Sequence, residues 1–206
     1  MEIVTVHGPA EVTLDEAADP PFLLVLTHGS NGGVDAPDLL AVRETALGLG
    51  GAVARVTQPF RLAGRRAPGP AAKQDEAWLE IVGVVRDGFG DVPLIQGGRS
   101  NGARVVCRTA APAGAAGVVA LAFPLRPPRN PEKTRVEELR SAGVEVLVVN
   151  GDRDPFGVPD AADAAHVAVL AGERHDLNRD PAAAGRAAEP WLRRWAARPV
   201  RTGGRE

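Results

Sequence analysis

Apolar residues in this chain gather into short runs rich in β-branched side chains, with longer amphipathic stretches between them. The clearest runs cover residues 22–27, 92–96, 118–123, 144–149 and 166–170, and each predicts a buried strand. Between them, residues 38–49, 71–87, 101–110, 131–142 and 181–197 are each long enough to cross back as a helix. Alternation of this kind predicts a mainly parallel α/β sheet with helices on both faces. Residues 3–6 and 11–14, split by Gly8 and Pro9, predict a leading antiparallel hairpin, and 52–57 adds a strand, giving about eight in all. Trp191 and Trp195, one helical turn apart, predict a core-facing stripe on the last helix. The one long irregular stretch is 58–70, which carries Arg61, Arg65, Arg66, Pro68 and Pro70, and long loops in compact domains are often functional. Residues 1–198 read as one domain, and 199–206, with Pro, Gly and charge, as a frayed tail.

Composition narrows the function classes. A chain of 206 residues with 44% hydrophobic content is large enough for one well-buried core. A formal net charge of -2 offers no general attraction to nucleic acid or to acidic membranes, so the expected partner is a small molecule. Cys107 is the only cysteine, which excludes an intrachain disulfide and a cysteine-based zinc site. The start, Met1 to Val6, lacks the positive segment and apolar run of a secretory signal, and no apolar stretch is long enough to span a bilayer. These features predict a cytoplasmic protein. None of them specifies an oligomeric state.

Candidate chemistry begins at residues 98–102, where Gly98-Arg99-Ser100-Asn101-Gly102 places a G-x-S-x-G pentapeptide between a predicted strand and a predicted helix. A serine on so sharp a turn projects its hydroxyl above the sheet, and glycines are needed where neighbouring backbone approaches closely. The helix that follows directs free N–H groups at the reacting oxygen, so the Asn101 amide is a candidate oxyanion donor. The bland alternative is a glycine-rich helix start with Ser100 as N-cap. Serine requires a base and an orienting acid. After the 144–149 strand comes Asp152-Arg153-Asp154-Pro155; Asp154 is the preferred acid because Pro155 keeps it extended, while Asp152 is the alternative. His175, in the loop before the last helix, is the preferred base over His7, His28 and His166. The order Ser100, Asp154, His175 is that of the α/β-hydrolases. The glycine-rich turn Gly29-Ser30-Asn31-Gly32-Gly33 supplies a second candidate donor, the Ser30 amide, with His28 bracing the loop. A phosphate cradle is the rival reading of that turn, but the G-K-[ST] ending and a proper G-x-G-x-x-G are both missing.

These segments resemble the α/β-hydrolase superfamily, in its compact dienelactone-hydrolase-like branch. Within it they are most similar to the hydrolase-like family of testis-expressed and non-specific-lethal-complex subunits. The likeness spans nearly the whole chain and rests on T-H-G-S-N-G-G at 27–33, G-R-R-A-P at 64–68, G-G-R-S-N-G at 97–102, F-P-L-R-P-P at 123–128 and G-D-R-D-P-F-G at 151–157. The resemblance implies an α/β-hydrolase fold without a large lid domain. It implies Ser100 as nucleophile, Asp154 as acid and His175 as base, with Ser30 and Asn101 as oxyanion contacts. The implied activity is acyl transfer from a small ester, lactone or thioester, which calls for no metal or organic cofactor. Arg65 and Arg66 are candidates to hold a substrate anion, against the alternative of a solvated cluster. Two other readings use the same fold: a catalytically silent binding or scaffold protein, as among complex-subunit relatives, and an acyltransferase.

Overall fold

The structure, a computed structural model, describes residues 1–127, 130 and 132–198; the 199–206 tail lies outside the described residues. Its elements are β1 (Glu2–Thr5), β2 (Gly8–Asp15), β3 (Leu23–Thr27), α1 (Pro37–Gly48), β4 (Ala52–Thr57), α2 (Pro59–Leu62), α3 (Ala71–Asp87) and β5 (Leu94–Arg99). They continue as α4 (Asn101–Thr109), β6 (Gly117–Leu121), α5 (Val136–Arg140), β7 (Val146–Gly151), β8 (His166–Leu170) and α6 (Ala182–Ala196). The described strands form one eight-stranded sheet in the order β1-β2-β4-β3-β5-β6-β7-β8. The β1–β2 and β2–β4 pairs are antiparallel and the remainder parallel, so the leading hairpin is welded to the parallel core through β4.

Strands β3, β6 and β7 are buried at every position because helices cover both sheet faces. Successive side chains point to opposite faces, and β3 shows the division: Leu23 and Val25 join the core under α3 and α4, while Leu24 and Leu26 join the core under α1 and α6. Strand β8 departs from the expectation of a buried strand. It lies at the sheet edge, where His166 and Val169 are exposed and none of its residues is fully buried. Strand β5 runs farther than its apolar residues suggest, through Gly97 and Gly98 to Arg99, because those glycines pair with Leu26 and Thr27 on one side and Val119 and Ala120 on the other.

Two further expectations also change. The predicted 131–142 helix is helical only over Val136–Arg140 among the described residues, because the Arg135 N–H is spent on the Leu125 carbonyl at 2.9 Å. The 58–70 stretch is not wholly irregular, since Pro59 opens the short helix α2. Among the described residues no helix is long and apolar enough to cross a membrane.

The last helix closes the α1-side core. Trp195 is fully buried and donates its indole N–H to Glu145 at 3.1 Å, and the Arg194 and Arg198 guanidiniums bond the same carboxylate. Trp191 is half-buried and faces Trp195 with ring centroids 5.6 Å apart, so only one of the two tryptophans is core in the full sense. Trp195→Ala is expected to destabilise the protein by about 3–5 kcal/mol, read as a lower midpoint in urea unfolding with little change in slope.

Candidate active site

Ser100 stands alone between the last residue of β5 and the first of α4. Its backbone has φ 52° and ψ -113°, a region that side chains disfavour and that costs about 1–3 kcal/mol where it persists. Two bonds hold it there: the Ser100 N–H donates to the Leu121 carbonyl at 2.9 Å, and the Ser100 carbonyl accepts from the Arg104 N–H at 3.3 Å. The turn is also too crowded for side chains on either flank. A Cβ on Gly98 would lie 2.4 Å from the Gly102 carbonyl carbon, and one on Gly102 would lie 2.7 Å from the His28 oxygen.

His175 Nε2 lies 2.9 Å from Ser100 Oγ, and His175 Nδ1 lies 2.8 Å from Asp154 Oδ2. A carboxylate only accepts, so Nδ1 carries the proton and the Nε2 lone pair faces the serine hydroxyl. The Asp154 side chain is fully buried, and it accepts further bonds from the Phe156 N–H at 2.8 Å and from Asn150 Nδ2 at 3.3 Å. The Phe156 ring lies 4.2 Å from the imidazole, centroid to centroid. Of the two candidate acids, Asp154 faces His175, whereas Asp152 accepts the Gly172 N–H at 2.8 Å and closes the neighbouring loop. The other histidines lie elsewhere: His7 contacts Glu76 at 2.7 Å, and His166 stacks on Trp191 at 5.9 Å.

What brings His175 within reach is contact between its loop and the end of β7. A Cβ on Gly151 would stand 2.2 Å from the Glu173 carbonyl oxygen, so only glycine permits that approach. The buried Glu173 carboxylate then gathers the next segment by accepting the N–H groups of Arg179 at 3.2 Å and Asp180 at 2.6 Å.

The loop after β3 meets the serine from the other side, since a Cβ on Gly29 would lie 3.1 Å from the Ser100 Cβ. His28 is fully buried beneath it. A carbonyl only accepts, so His28 Nδ1–H donates to the Gly29 oxygen at 2.8 Å, while Nε2 accepts the Gln58 N–H at 3.0 Å. Burial holds the His28 pKa below its usual 6.5; the Gly29 bond opposes that shift and the Arg61 charge reinforces it. The Gln58 amide also donates to Thr27 Oγ1 at 3.0 Å, which fastens the ends of β3 and β4 together. Among the described residues neither the Ser30 nor the Asn101 backbone N–H has an acceptor, and Asn101 Nδ2 donates to Gln74 Oε1 at 2.7 Å. Among the described residues no cluster of three or more His, Cys, Asp or Glu groups could hold a metal ion.

Arg99 and Asp38 are the pair that sequence reasoning missed. The Asp38 side chain is fully buried at the start of α1, and burial raises its pKa although the adjacent Arg99 guanidinium pulls the other way. Arg99 Nε donates to Asp38 Oδ2 at 2.9 Å, and Nη2 donates to the His175 carbonyl at 2.8 Å. One side chain next to Ser100 therefore holds the backbone of the histidine loop. The only sequence signal was the buried-side position of Asp38 in its helix, which predicts a partner without naming it. Of the arginine candidates, Arg66 is exposed and makes no hydrogen bond or ion pair among the described residues, and Arg65 lines a cavity that does not include Ser100, Asp154 or His175. The structure does not bring either into the serine cluster.

Two measurements follow from this geometry. Arg99→Met strands the Asp38 carboxylate in the interior and is expected to cost about 3–5 kcal/mol in urea unfolding, most of which returns when Asp38→Leu is added. The His28 shift sets a pH dependence: the unfolded chain protonates His28 near its usual value of 6.5 and the folded chain only at lower pH. The unfolded state thus binds more protons, and stability present above that value declines as pH falls, at up to about 1.4 kcal/mol per pH unit for this group. His28→Gln is expected to flatten that acid-side slope in denaturation curves taken across the range.

Comparison with known proteins accords with this architecture. Among solved structures, Est1E from Butyrivibrio proteoclasticus, determined with ferulic acid bound, superposes with a TM-score of 0.79 at 17% identity, covering 96% of this chain and 100% of that one. An α/β serine hydrolase without a lid from Xanthomonas campestris gives 0.71 at 18% identity, covering 93% and 94%. An esterase from Pyrobaculum calidifontis gives 0.69 at 15% identity, covering 96% and 83%. No curated protein matches the sequence. Residues 20–198 match the family described as alpha/beta hydrolase domain, and the chain belongs to that family.

Proposed function

We propose that this protein is a serine hydrolase acting on a small ester, lactone or thioester through Ser100, His175 and Asp154. The single observation that carries the reading is the unbroken hydrogen-bond chain from the buried Asp154 carboxylate through the His175 ring to the Ser100 hydroxyl. In the proposed reaction His175 Nε2 removes the Ser100 proton as Oγ attacks the carbonyl carbon, and the imidazolium returns it to the leaving alcohol or thiol. Asp154 keeps the proton on Nδ1 and stabilises the imidazolium. Water, deprotonated by the same nitrogen, then releases the acid from Ser100. The Ser30 and Asn101 amides, without acceptors among the described residues, are proposed to bind the tetrahedral oxyanion, a task worth about 3–4 kcal/mol per donor in comparable sites. The reaction needs no cofactor.

The structural likeness to an esterase and to Est1E with ferulic acid supports esters of small acids as the substrate class. The motifs at 27–33, 64–68 and 151–157 support placement in the dienelactone-hydrolase-like branch, close to the testis-expressed and non-specific-lethal-complex subunits. We read residues 1–198 as one independently folding unit.

The test is labelling by a fluorophosphonate probe together with hydrolysis of short aryl esters. Wild type is expected to label and turn over. Ser100→Ala and His175→Ala are expected to abolish labelling, with kcat falling by up to about a million-fold if the enzyme is proficient on that ester. A wild-type protein that neither labels nor hydrolyses would overturn the reading in favour of a binding or scaffold role. Ester exchange onto an added alcohol outpacing hydrolysis would identify an acyltransferase using the same residues.

A further inference from the structure

A cavity of about 260 Å³ opens between the β1–β2 hairpin, α2 and the first turns of α3. Its body is apolar, built from Pro59, Phe60, Ala77, Trp78 and Ile81. Two cations, Arg65 and Lys73, stand on its wall, both exposed and neither in an ion pair among the described residues. Several other polar side chains on the wall already have partners. The Trp78 indole N–H donates to Gln96 Oε1 at 2.7 Å, His7 contacts Glu76 at 2.7 Å, and the Gln74 amide spans from Asn101 to the Gly69 carbonyl. The two cations are therefore the charged groups on this wall best placed to recognise a ligand. The cavity lies just below the size range typical of drug-sized ligands, and Ser100, Asp154 and His175 do not line it.

We propose that this cavity is a second ligand site, separate from Ser100, that takes a compact apolar carboxylate: the ring or branched chain fills the apolar body and the anion meets Arg65 and Lys73. A carboxylate suits the planar donor fork of arginine, and an exposed pair of like charges with no internal partner favours an anion from solution. The site shares two walls with the machinery beside the serine. Gln58 holds His28 and Thr27 under the Ser30 loop, and Gln74 holds the side chain of Asn101. A ligand pressing on these glutamines acts on the segments that carry both proposed oxyanion donors. Carboxylates are also what ester hydrolysis releases, so the site is placed to sense acid.

The test uses the full chain carrying Ser100→Ala, titrated with benzoate in a calorimeter, with benzamide as the neutral analogue. Saturable one-site binding of benzoate is expected, about ten-fold or more tighter than benzamide and weakened by added salt. Arg65→Ala with Lys73→Ala is expected to weaken it by a similar factor, and Ala77→Leu to abolish it by filling the cavity. If Ala77→Leu fails to fold, the charge variants still decide, since both side chains are exposed. Absence of saturable binding, or binding indifferent to Arg65 and Lys73, would overturn the proposal. So would benzoate binding that disappears once wild-type Ser100 carries the phosphonate, because the ligand would then sit at the serine. Failure of the probe to label wild type bears on the hydrolase reading alone, since the titration reports on the cavity without turnover.

Discussion

Crowding where β5 passes into α4 governs the layout of this molecule's working end. The central strand of a parallel sheet must hand its chain to a helix that packs back on the sheet, and here it does so within a single residue. Ser100 absorbs the whole change of direction at φ 52°. Such a turn is tolerable only because the Leu121 carbonyl receives its N–H on one side, and because Gly98 and Gly102 let strand, helix and the loop after β3 touch backbone to backbone. Place a methyl group at either glycine and the helix must withdraw. With it would go the distance between Ser100 and His175, which leaves little room for adjustment at 2.9 Å.

That crowding also explains why Arg99 matters. Its neighbour's hydroxyl points up toward the histidine, and its own side chain reaches sideways to Asp38 at the start of α1 and to the carbonyl of His175. Three segments far apart in sequence are thereby fixed relative to one hydroxyl. Burying an ion pair seldom contributes net stability, because desolvation offsets the attraction. The raised pKa of Asp38 points the same way. A pair that adds little to folding yet fixes the histidine loop is better understood as a positional constraint than as a staple of the core.

How far the sequence disclosed this arrangement depends on how local each determinant is. The Ser100 turn was legible because its glycines and its serine lie within five consecutive residues and serve one steric requirement. The sheet and its helices were legible from periodicity, apart from β8, whose apolar run looks like an interior strand until its place at the edge is known. Order along the chain ranked His175 above the other histidines, and the structure brings it to Ser100 and Asp154. The contacts of Arg99, Gln58 and Gln74 were not legible. Their partners lie 61, 30 and 27 residues away, and an arginine or glutamine carries no mark of which distant group it will meet. The arginines of the 58–70 loop carried no mark of which surface each would serve: Arg65 lines a cavity beside the β1–β2 hairpin, and Arg66 is exposed.

Polar satisfaction supplies a last argument about where chemistry belongs in this fold. Leaving a buried polar group without a partner costs roughly 1–3 kcal/mol, and folded proteins avoid it. Among the described residues only Arg55 Nε and Gln96 Nε2 are buried side-chain atoms without a hydrogen bond, so the framework is well satisfied. Against that background, the Ser30 and Asn101 backbone amides, in the two loops that flank Ser100, have no acceptor among the described residues, one in the turn after the buried His28 and the other at the positive end of α4. In the proposed acyl transfer a negatively charged oxygen forms above Ser100, and these two amides are the donors proposed to receive it.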